Sequence, residues 1–271
     1  MRVGVVGAAG RMGRQVCGAV AAQSDLELVA AVDTARGGAR LDTLVGVDVG
    51  ELVVGDRLEG LTAAGVQVVV DFTRIDAARQ TLAYCAGQGM HAVVGTSGFT
   101  DDDLAELTRR FAGPAEGAPN CVVAANFAIG AVLMMRFAEM AAPWFQAVEI
   151  VESHHDGKVD APSGTALHTA ERMATARAAS GSGAFPPDHT LTTVLDGTRG
   201  GAGPAGVRIH SVRLPGLVAH QEVIFGAVGQ SLTIRHDSYD RASFMDGVVL
   251  AVRSVADHPG LTLGLEPLLE I

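Results

Sequence analysis

The N-terminal stretch RVGVVGAAGRMG predicts an apolar strand, a glycine-rich turn and a helix, in that order. Few folds begin with this order of elements. The strand is predicted over Arg2–Val6 and the helix over Arg11–Ala22. Glycines let such a turn close tightly and approach a ligand, while the helix N-terminus presents free N–H groups and the positive end of its dipole. Asp33 ends the next predicted strand, 20 residues beyond Gly13. The combination predicts a dinucleotide-binding βαβ unit.

Strands and helices continue to alternate through the first half of the chain. Strand patterns lie at Val66–Phe72, His91–Gly95 and Cys121–Phe127, and helix patterns lie at Ile75–Gln88 and Asp101–Phe111. These strands lack polar alternation, which is typical of parallel strands covered on both faces. The pattern therefore predicts an α/β fold with a Rossmann-type, doubly wound parallel sheet.

The second half of the chain follows a different pattern. Helices are predicted over Ile129–Ala142 and Ser163–Ala178, with a long strand over Phe145–Glu152 between them. The later stretches VRIHSVRL, HQEVIFGA and SLTIRHD alternate polar and apolar residues, and a last helix is predicted over Arg241–Ala256. Alternating strands close in sequence predict an α+β domain with a mixed or antiparallel sheet that is covered on one face.

The composition restricts the class of partner. The chain has 271 residues, of which 48% are apolar, and a formal net charge of −10. This balance argues against a nucleic-acid-binding surface, since phosphate binding needs clustered Lys and Arg. Cys17, Cys85 and Cys121 show neither a CxxC pair nor zinc spacing, so we expect buried thiols and no metal. We also expect a soluble, cytoplasmic protein, because there is no signal-peptide pattern and no apolar run of ~18 residues.

Two further loops follow predicted strands at the edge where ligands of such sheets bind. They are Asp71-Phe72-Thr73, in which Phe72 is suited to packing on a ribose or a nicotinamide ring, and Gly95-Thr96-Ser97-Gly98-Phe99. Taken singly, each is equally well an ordinary βα loop, and the GxxGxxG turn is weaker evidence than GxGxxG. Asp33 favours NADH because a carboxylate repels a 2′-phosphate, whereas Arg11 and Arg36 supply cations for that phosphate. We therefore expect the chain to use both NADH and NADPH.

The stretch ESHHDGKVDAPSGTA combines two imidazoles, an ammonium and a helix start. Hydroxyl groups, free N–H groups and the helix dipole make an anion site, and Lys158 adds a charge. A histidine beside these cations is expected to have a lowered pKa and to act as a proton donor. The alternatives are structural histidines, a solvated lysine, and a metal site, for which no third ligand has a recognisable spacing.

Taken together, the chain resembles the 4-hydroxy-tetrahydrodipicolinate reductase (dihydrodipicolinate reductase) family of the diaminopimelate route to lysine. The similarity spans almost the whole chain. The matching stretches are VGAAGRMG, DFT, GTSGF, AANFAIG, ESHHDGKVDAPSGTA and RLPGLVAHQEVIFGAVGQSLTIRHDSYDRASF.

The resemblance implies a role for each matching residue. His154 would be the proton donor, and Lys158 would be a second catalytic group. The substrate dicarboxylate would be held by His155, Ser163, Gly164 and Thr165. The dinucleotide would be contacted by Gly7, Ala8, Ala9, Gly10, Arg11, Met12, Asp33, Gly95, Thr96, Ser97, Ala124, Ala125, Asn126 and Phe127.

The resemblance also implies an organisation. A Rossmann domain would cover 1–125 and a substrate-binding and oligomerisation domain 126–236, with a helix and tail at 237–271 that return to the first domain. Homotetramers would assemble through the substrate-domain sheet. Ser97 stands where the family usually has threonine. Thr34 stands where some relatives have arginine, which weakens the expectation of NADPH preference.

The implied reaction is the NADH- or NADPH-dependent reduction of a cyclic imine dicarboxylate. A hydride would reach C4 of the conjugated system, and His154 would protonate C3. Lys158 would stabilise the developing charge and could also donate a proton. The rival enzymes, aspartate and homoserine dehydrogenases, would share the Rossmann start but lack HHxxKxDAPSGTA. A dinucleotide-sensing regulator without turnover would have no use for His154 and Lys158.

Overall fold

The computed structural model describes residues 1–112 and 118–271. Its strands, in chain order, are β1 (Arg2–Val6), β2 (Glu27–Val32), β3 (Val68–Asp71), β4 (His91–Val94), β5 (Cys121–Val123), β6 (Ala147–His154), β7 (Gly201–Ala202), β8 (Arg208–Arg213), β9 (Ala219–Ala227), β10 (Gln230–Ser238) and β11 (Leu261–Leu263). Its α-helices are α1 (Arg11–Ala21), α2 (Leu41–Val45), α3 (Glu59–Ala63), α4 (Ile75–Gln88), α5 (Asp101–Arg110), α6 (Ile129–Ala141), α7 (Gly164–Ala179), α8 (Met245–Ser254) and α9 (Glu266–Leu269).

The chain divides into two compact units, one made of 1–129 and 241–271 and the other of 130–240. In the first unit, the described strands form one parallel sheet in the order β11-β5-β4-β3-β1-β2. Helices α1 and α8 contact each other, as do α4 and α5. This architecture confirms the doubly wound sheet predicted from the apolar strands. Strands β2 and β3 flank β1 on opposite sides, which creates the switch point where such sheets bind ligands.

Burial explains why the central strands carry so few polar side chains. Every residue of β3 is buried, and Val3 and Val5 of β1 are fully inaccessible. Branched side chains pack well on a pleated surface, and a strand covered on both faces has no polar side to expose.

The C-terminal tail contributes a strand that the sequence pattern did not predict. β11 pairs in parallel with β5, at the edge of the first sheet. Asn120 fastens this return, because its side chain donates to the carbonyl oxygens of Val255 and Ala256 and accepts from the Gly260 N–H. A half-buried strand of three residues shows no alternation to detect.

Several predicted limits are wrong. The strand predicted over Cys121–Phe127 ends at Val123, because the Asn126 side chain accepts from the Ala128 N–H and forms a turn. The helix predicted from Arg241 begins with a 3-10 turn, and its regular part is Met245–Ser254.

The second unit is built on a mixed sheet in the order β10-β9-β6-β8-β7, as the sequence predicted. Strand β6 pairs in parallel with β8 and antiparallel with β9. One face of β6 carries Val148 and Ile150, which pack with Ala170 and Met173 of α7. Because side chains alternate along a strand, Glu152 and His154 lie on that same face. No described helix is both long and apolar enough to cross a membrane.

Candidate functional site

The glycine-rich turn of the first unit has the tight geometry that its sequence predicts. Gly7 has φ 76°, in the left-handed region that favours glycine. A Cβ on Gly13 would overlap the carbonyl group of Gly7, so α1 packs against the turn only because position 13 has no side chain. The first and third glycines are therefore explained by backbone packing.

The amides of this turn are either bonded within the protein or free. The Ala9 N–H donates to the Asp33 carboxylate, and the Gly10 N–H donates to the Gly7 carbonyl oxygen. The N–H groups of Gly7 and Ala8 both donate to the Val32 carbonyl oxygen, at 2.8 and 3.2 Å. The N–H groups of Arg11, Met12 and Gly13 are the first of α1 and have no acceptor among the described residues. Only these free amides are available to bind an anion such as a pyrophosphate.

Asp33 lies just beyond β2, and its carboxylate is held by the backbone. Oδ2 accepts from the Ala9 N–H at 3.1 Å, and Oδ1 accepts from the Ala35 N–H at 2.9 Å. The side chain is half-buried, so it remains accessible at the end of the strand. Asp33 thus fixes the glycine-rich turn as well as presenting a charge.

A cavity of about 810 Å³ opens at the carboxyl ends of β1, β2 and β3. This position is the switch point of the sheet, and the volume suits a large cofactor. The cavity brings together five of the residues predicted to bind the dinucleotide, which are Gly7, Gly10, Arg11, Asp33 and Phe72. The other predicted residues of this group do not line it.

The two loops after β3 and β4 are tied together by a buried carboxylate. Asp71 is fully buried, and its Oδ1 accepts from the Thr73 N–H at 2.8 Å and from the Thr73 hydroxyl at 2.6 Å. The Thr96 hydroxyl lies 3.4 Å from the same oxygen and 3.2 Å from the Thr73 carbonyl oxygen. The hydroxyl of Thr96 is therefore turned inward, whereas Ser97 is exposed.

Aromatic packing occupies the neighbouring edge of the sheet. A Cβ on Gly95 would enter the ring of Phe72, so that ring lies directly on the Gly95 backbone. The Phe72 and Phe127 rings are 5.5 Å apart between centroids. Phe127 and Ala124 are buried, whereas Ala125 is exposed and Asn126 is half-buried. Of this predicted segment, only the latter two have accessible side chains.

In the second unit, a buried carboxylate organises the His-Lys stretch. Glu152 is 0% exposed, and its Oε2 lies 2.6 Å from Nδ1 of His154. The guanidinium of Arg213 donates to both carboxylate oxygens, at 2.9 and 2.8 Å. The N–H of Ser163 donates to Oε1 at 3.2 Å. One carboxylate therefore brings the His154 ring next to the start of α7.

Burial and neighbouring groups have opposite effects on the pKa values of Glu152 and His154. Burial works to raise the pKa of the Glu152 carboxyl, but the hydrogen bonds from Arg213, Ser211 and His154 outweigh it and hold that pKa below its usual range. The pKa of His154 is lowered: burial is the largest cause and lowers it, the hydrogen bond and charge of Glu152 raise it, and the charges of Lys158 and Arg213 lower it. The lowered pKa agrees with the expectation from sequence, although burial rather than the cations is the largest cause.

The N-terminus of α7 has the form of an anion site. Ser163 is the N-cap, and its hydroxyl oxygen accepts from the Ala166 N–H at 3.2 Å. Within residues 1–112 and 118–271, the N–H groups of Gly164 and Thr165 have no acceptor. Ser163 itself is buried, whereas Gly164 is exposed and Thr165 is half-buried. The two free amides and the Thr165 side chain are therefore the accessible donors.

The remaining predicted residues lie in the loop between β6 and α7. The Lys158 ammonium donates to both oxygens of Asp160, at 2.8 and 2.9 Å. His155 is exposed, and its imidazole lies against Gly157. The Arg213 guanidinium also donates to the Asp160 carbonyl oxygen at 2.7 Å, which ties this loop to β8.

Sequence reasoning missed Glu152, Arg213 and Asp160. Glu152 could have been found from its position two residues before His154, because residues i and i+2 share one face of a strand. Arg213 lies opposite His154 in the parallel pairing of β6 with β8. No local pattern in the sequence indicates that register.

Comparisons with known proteins agree over both units. The family model described as "Dihydrodipicolinate reductase, N-terminus" matches residues 1–127, and the one described as "Dihydrodipicolinate reductase, C-terminus" matches residues 130–269. The chain is 51% identical over 271 residues to the 4-hydroxy-tetrahydrodipicolinate reductase of Nocardia farcinica, covering 100% of this chain and 99% of that protein. It is 48% identical over 271 residues to the reductase of the same name from Corynebacterium diphtheriae, with coverage of 100% and 99%.

A solved structure gives the same result. The dipicolinate-bound dihydrodipicolinate reductase from Paenisporosarcina sp. TG-14 matches with a TM-score of 0.85 and 40% identity, over 98% of each chain.

Proposed function

The chain belongs to the dihydrodipicolinate reductase family and catalyses the NAD(P)H-dependent reduction of 4-hydroxy-tetrahydrodipicolinate in lysine biosynthesis, and we propose that His154 and Lys158 carry its proton chemistry. The observation that supports this assignment is the Glu152 carboxylate, which binds both the His154 ring and the Ser163 N–H at the start of α7. A proton donor and an anion site therefore lie next to each other on one scaffold.

The residues of the first unit fit a nicotinamide dinucleotide. The free amides of Arg11, Met12 and Gly13 would hold the pyrophosphate, and the Asp33 carboxylate would accept from the adenosine ribose hydroxyls. The cavity that contains Arg11 and Asp33 has about 810 Å³. When bound, the reduced nicotinamide supplies the hydride.

The start of α7 would hold a carboxylate of the substrate. The amides of Gly164 and Thr165 and the Thr165 hydroxyl are the donors, and no acidic residue lies in the first turn of α7 to oppose an anion. His155 and Lys158 would meet the second carboxylate. The Paenisporosarcina relative was solved with dipicolinate, a dicarboxylate of the same class.

His154 would complete the reaction by donating a proton. Reduction at C4 leaves negative charge on the conjugated system, and protonation at C3 removes it. The Nδ1 of His154 faces Glu152, so Nε2 is the atom that would carry the proton to substrate. Lys158 would stabilise the same charge electrostatically. To do so, its ammonium would have to leave the Asp160 carboxylate and bind the anionic substrate.

The test replaces each proposed residue and measures steady-state kinetics with the freshly made condensation product of pyruvate and aspartate semialdehyde. His154→Gln and Lys158→Met should each lower kcat by about 10²–10⁴ and leave the Kd for NADH unchanged, because each removes a group that acts on the substrate. His168→Gln is the matched control, since His168 is an exposed histidine of α7 that pairs with Glu171. A variant that keeps a normal kcat would remove its residue from the catalytic assignment.

Four further proposals rest on the family resemblance. The first unit would bind the dinucleotide, and the second would bind the substrate. The chain would assemble as a homotetramer through the sheet of the second unit, and it would work in the cytoplasm. Light scattering coupled to size-exclusion chromatography tests the assembly, and a monomer or dimer at assay concentration would contradict it.

A further inference from the structure

We propose that Glu152 is the positioning residue of His154, orienting its imidazole through Nδ1 and keeping the proton-donating form of the ring populated. The inference rests on the proposed function, in which His154 is the proton donor. It assigns a role to a residue that does not itself reach the substrate, since Glu152 is fully buried.

The geometry around Glu152 leaves its carboxylate little freedom. Glu152 and His154 lie two residues apart on one face of β6, so the contact of 2.6 Å requires no distortion of the strand. The Arg213 guanidinium holds both carboxylate oxygens, and the Ser163 N–H binds one of them. A carboxylate held by these two groups also fixes the ring that it binds.

This contact determines which nitrogen of His154 faces outward. A carboxylate only accepts, so Nδ1 carries the hydrogen in both the neutral and the charged ring. Nε2 then has the lone pair in the neutral ring and the transferable proton in the charged ring. No described residue is hydrogen-bonded to Nε2, and the His154 side chain is 15% exposed. The free nitrogen is the one that a proton donor needs.

The charges around His154 make Glu152 the group that opposes loss of the ring's proton. Arg213 faces the ring from β8 and Lys158 faces it from the following loop, and both favour the neutral ring. Strand β9 places the uncharged Ala219 opposite His154, and α7 has no acidic residue in its first turn. Burial also favours the neutral ring. Without Glu152, burial, Arg213 and Lys158 would all favour the neutral ring.

The first experiment measures the pKa of His154 by NMR of the labelled imidazole in the full-length protein. Glu152→Gln should lower that pKa by about one pH unit or more, because it removes a carboxylate in direct contact with the ring. Arg213→Gln should raise the pKa of His154, because the substitution removes a cation and leaves the Glu152 carboxylate to interact with His154. Opposite changes from two neighbouring substitutions distinguish electrostatic positioning from general structural damage.

Glu149→Gln is the matched control. Glu149 also lies on β6, and it also bonds one arginine and one histidine, Arg199 and His210. It lies on the opposite face of the strand from Glu152. Glu149→Gln should therefore leave the pKa of His154 and the kcat unchanged. A change in the pKa of His154 as large as that from Glu152→Gln would contradict a specific role for Glu152.

The second experiment follows kcat against pH. Because the charged ring donates the proton, kcat should decrease as pH rises through the pKa of His154. Glu152→Gln should move this decrease to lower pH. At a fixed pH above both pKa values, kcat should fall about tenfold for each pH unit by which the pKa of His154 is lowered. The Kd for NADH should stay unchanged. If Glu152→Gln does not fold, Arg213→Gln and the double variant Glu152→Gln/Arg213→Gln carry the same test.

The two experiments separate this inference from the proposed function. An unchanged pKa of His154 in Glu152→Gln would overturn the positioning role. A lowered pKa with an unchanged pH profile of kcat would uphold the positioning role and overturn the assignment of His154 as proton donor. A joint change in both supports both.

Discussion

Asp33→Asn is the substitution that best separates the two roles that the structure gives to Asp33. The carboxylate holds the glycine-rich turn by accepting from the Ala9 and Ala35 N–H groups. It also presents a negative charge in the cavity proposed for the adenosine ribose. Asparagine keeps the size of the side chain but removes the charge and one of the two accepting groups.

The two losses affect the two cofactors differently. Losing a backbone hydrogen bond to a charged group costs about 1.5–3 kcal/mol, and it weakens NADH and NADPH alike because both need the same turn. The lost charge also weakens the hydrogen bonds that the ribose hydroxyls of NADH would donate to Asp33, and it removes the repulsion of the 2′-phosphate of NADPH. At a separation of about 5 Å, two unit charges repel by about 1–3 kcal/mol for an effective dielectric constant between 80 and 20. The ratio of NADPH to NADH affinity should therefore rise about 5- to 150-fold.

Calorimetric titration of each variant with each cofactor measures this ratio directly. Arg11→Ala should move it the other way, by about fivefold or less, because an exposed cation adds up to about 1 kcal/mol. Arg109→Ala is the control, since it removes an exposed arginine of α5 that does not line the cavity. If Asp33→Asn weakens both cofactors equally, Asp33 only holds the turn. If Arg11→Ala weakens both cofactors equally, Arg11 is only a pyrophosphate contact or a helix-surface charge.

Two further substitutions test the substrate anchor and the turn. Thr165→Val should raise the KM for the dicarboxylate about 2- to 12-fold, because it removes one hydrogen bond, and it should leave the Kd for NADH unchanged. Steady-state kinetics measure the KM and calorimetry measures the Kd. An unchanged KM would mean that the carboxylate binds elsewhere. Gly13→Ala should destabilise the fold by about 1–3 kcal/mol and weaken NADH, because the added methyl group overlaps the Gly7 carbonyl. Gly87→Ala, whose methyl group meets nothing within 4 Å in α4, should stabilise the fold by about 0.5–1 kcal/mol, and equal denaturation midpoints for the two variants would contradict the close packing at Gly13.

The elements that sequence predicts well are those whose signal is local and repeated. Strands β1 and β3 are mostly apolar runs, and Ile75–Gln88 has the limits that were predicted. The helix predicted over Asp101–Phe111 is observed over Asp101–Arg110, where Thr100 is the N-cap and Asp103 completes a capping box. In these cases burial and capping act within a few residues, so the local sequence is sufficient to predict them.

The elements that sequence does not predict depend on distant partners. Strand β11 has three residues and exists because β5 offers a free edge beside it. Helices α2 and α3 have five residues each and lie between β2 and β3, where no helix was predicted. Short segments of this kind gain too little from their own hydrogen bonds to be stable alone, so tertiary packing decides their conformation.

The candidate site shows the same division between local and distant signals. His154, Lys158 and Ser163–Thr165 stand within one contiguous stretch, and their residue types alone indicate acid and anion chemistry. The arginine that fixes the site, Arg213, is 61 residues from Glu152. It reaches that carboxylate only because β6 and β8 pair in parallel with His154 opposite Arg213. The acid and anion chemistry of the site was thus predictable from the residue types of one stretch. The charges around Glu152 and His154 depend on the register of β6 and β8, which the sequence does not show.

The buried face of β6 shows how this register is enforced. The face begins with the apolar residues Val148 and Ile150 and ends with Glu152 and His154. A carboxylate moved out of water costs several kcal/mol unless it is paired and hydrogen-bonded. A slip of one residue would turn Glu152 to the opposite face and leave Arg213 without it. The polar end of the strand therefore disfavours wrong pairings, and the same contacts that specify the register fix the position of His154, the proposed proton donor.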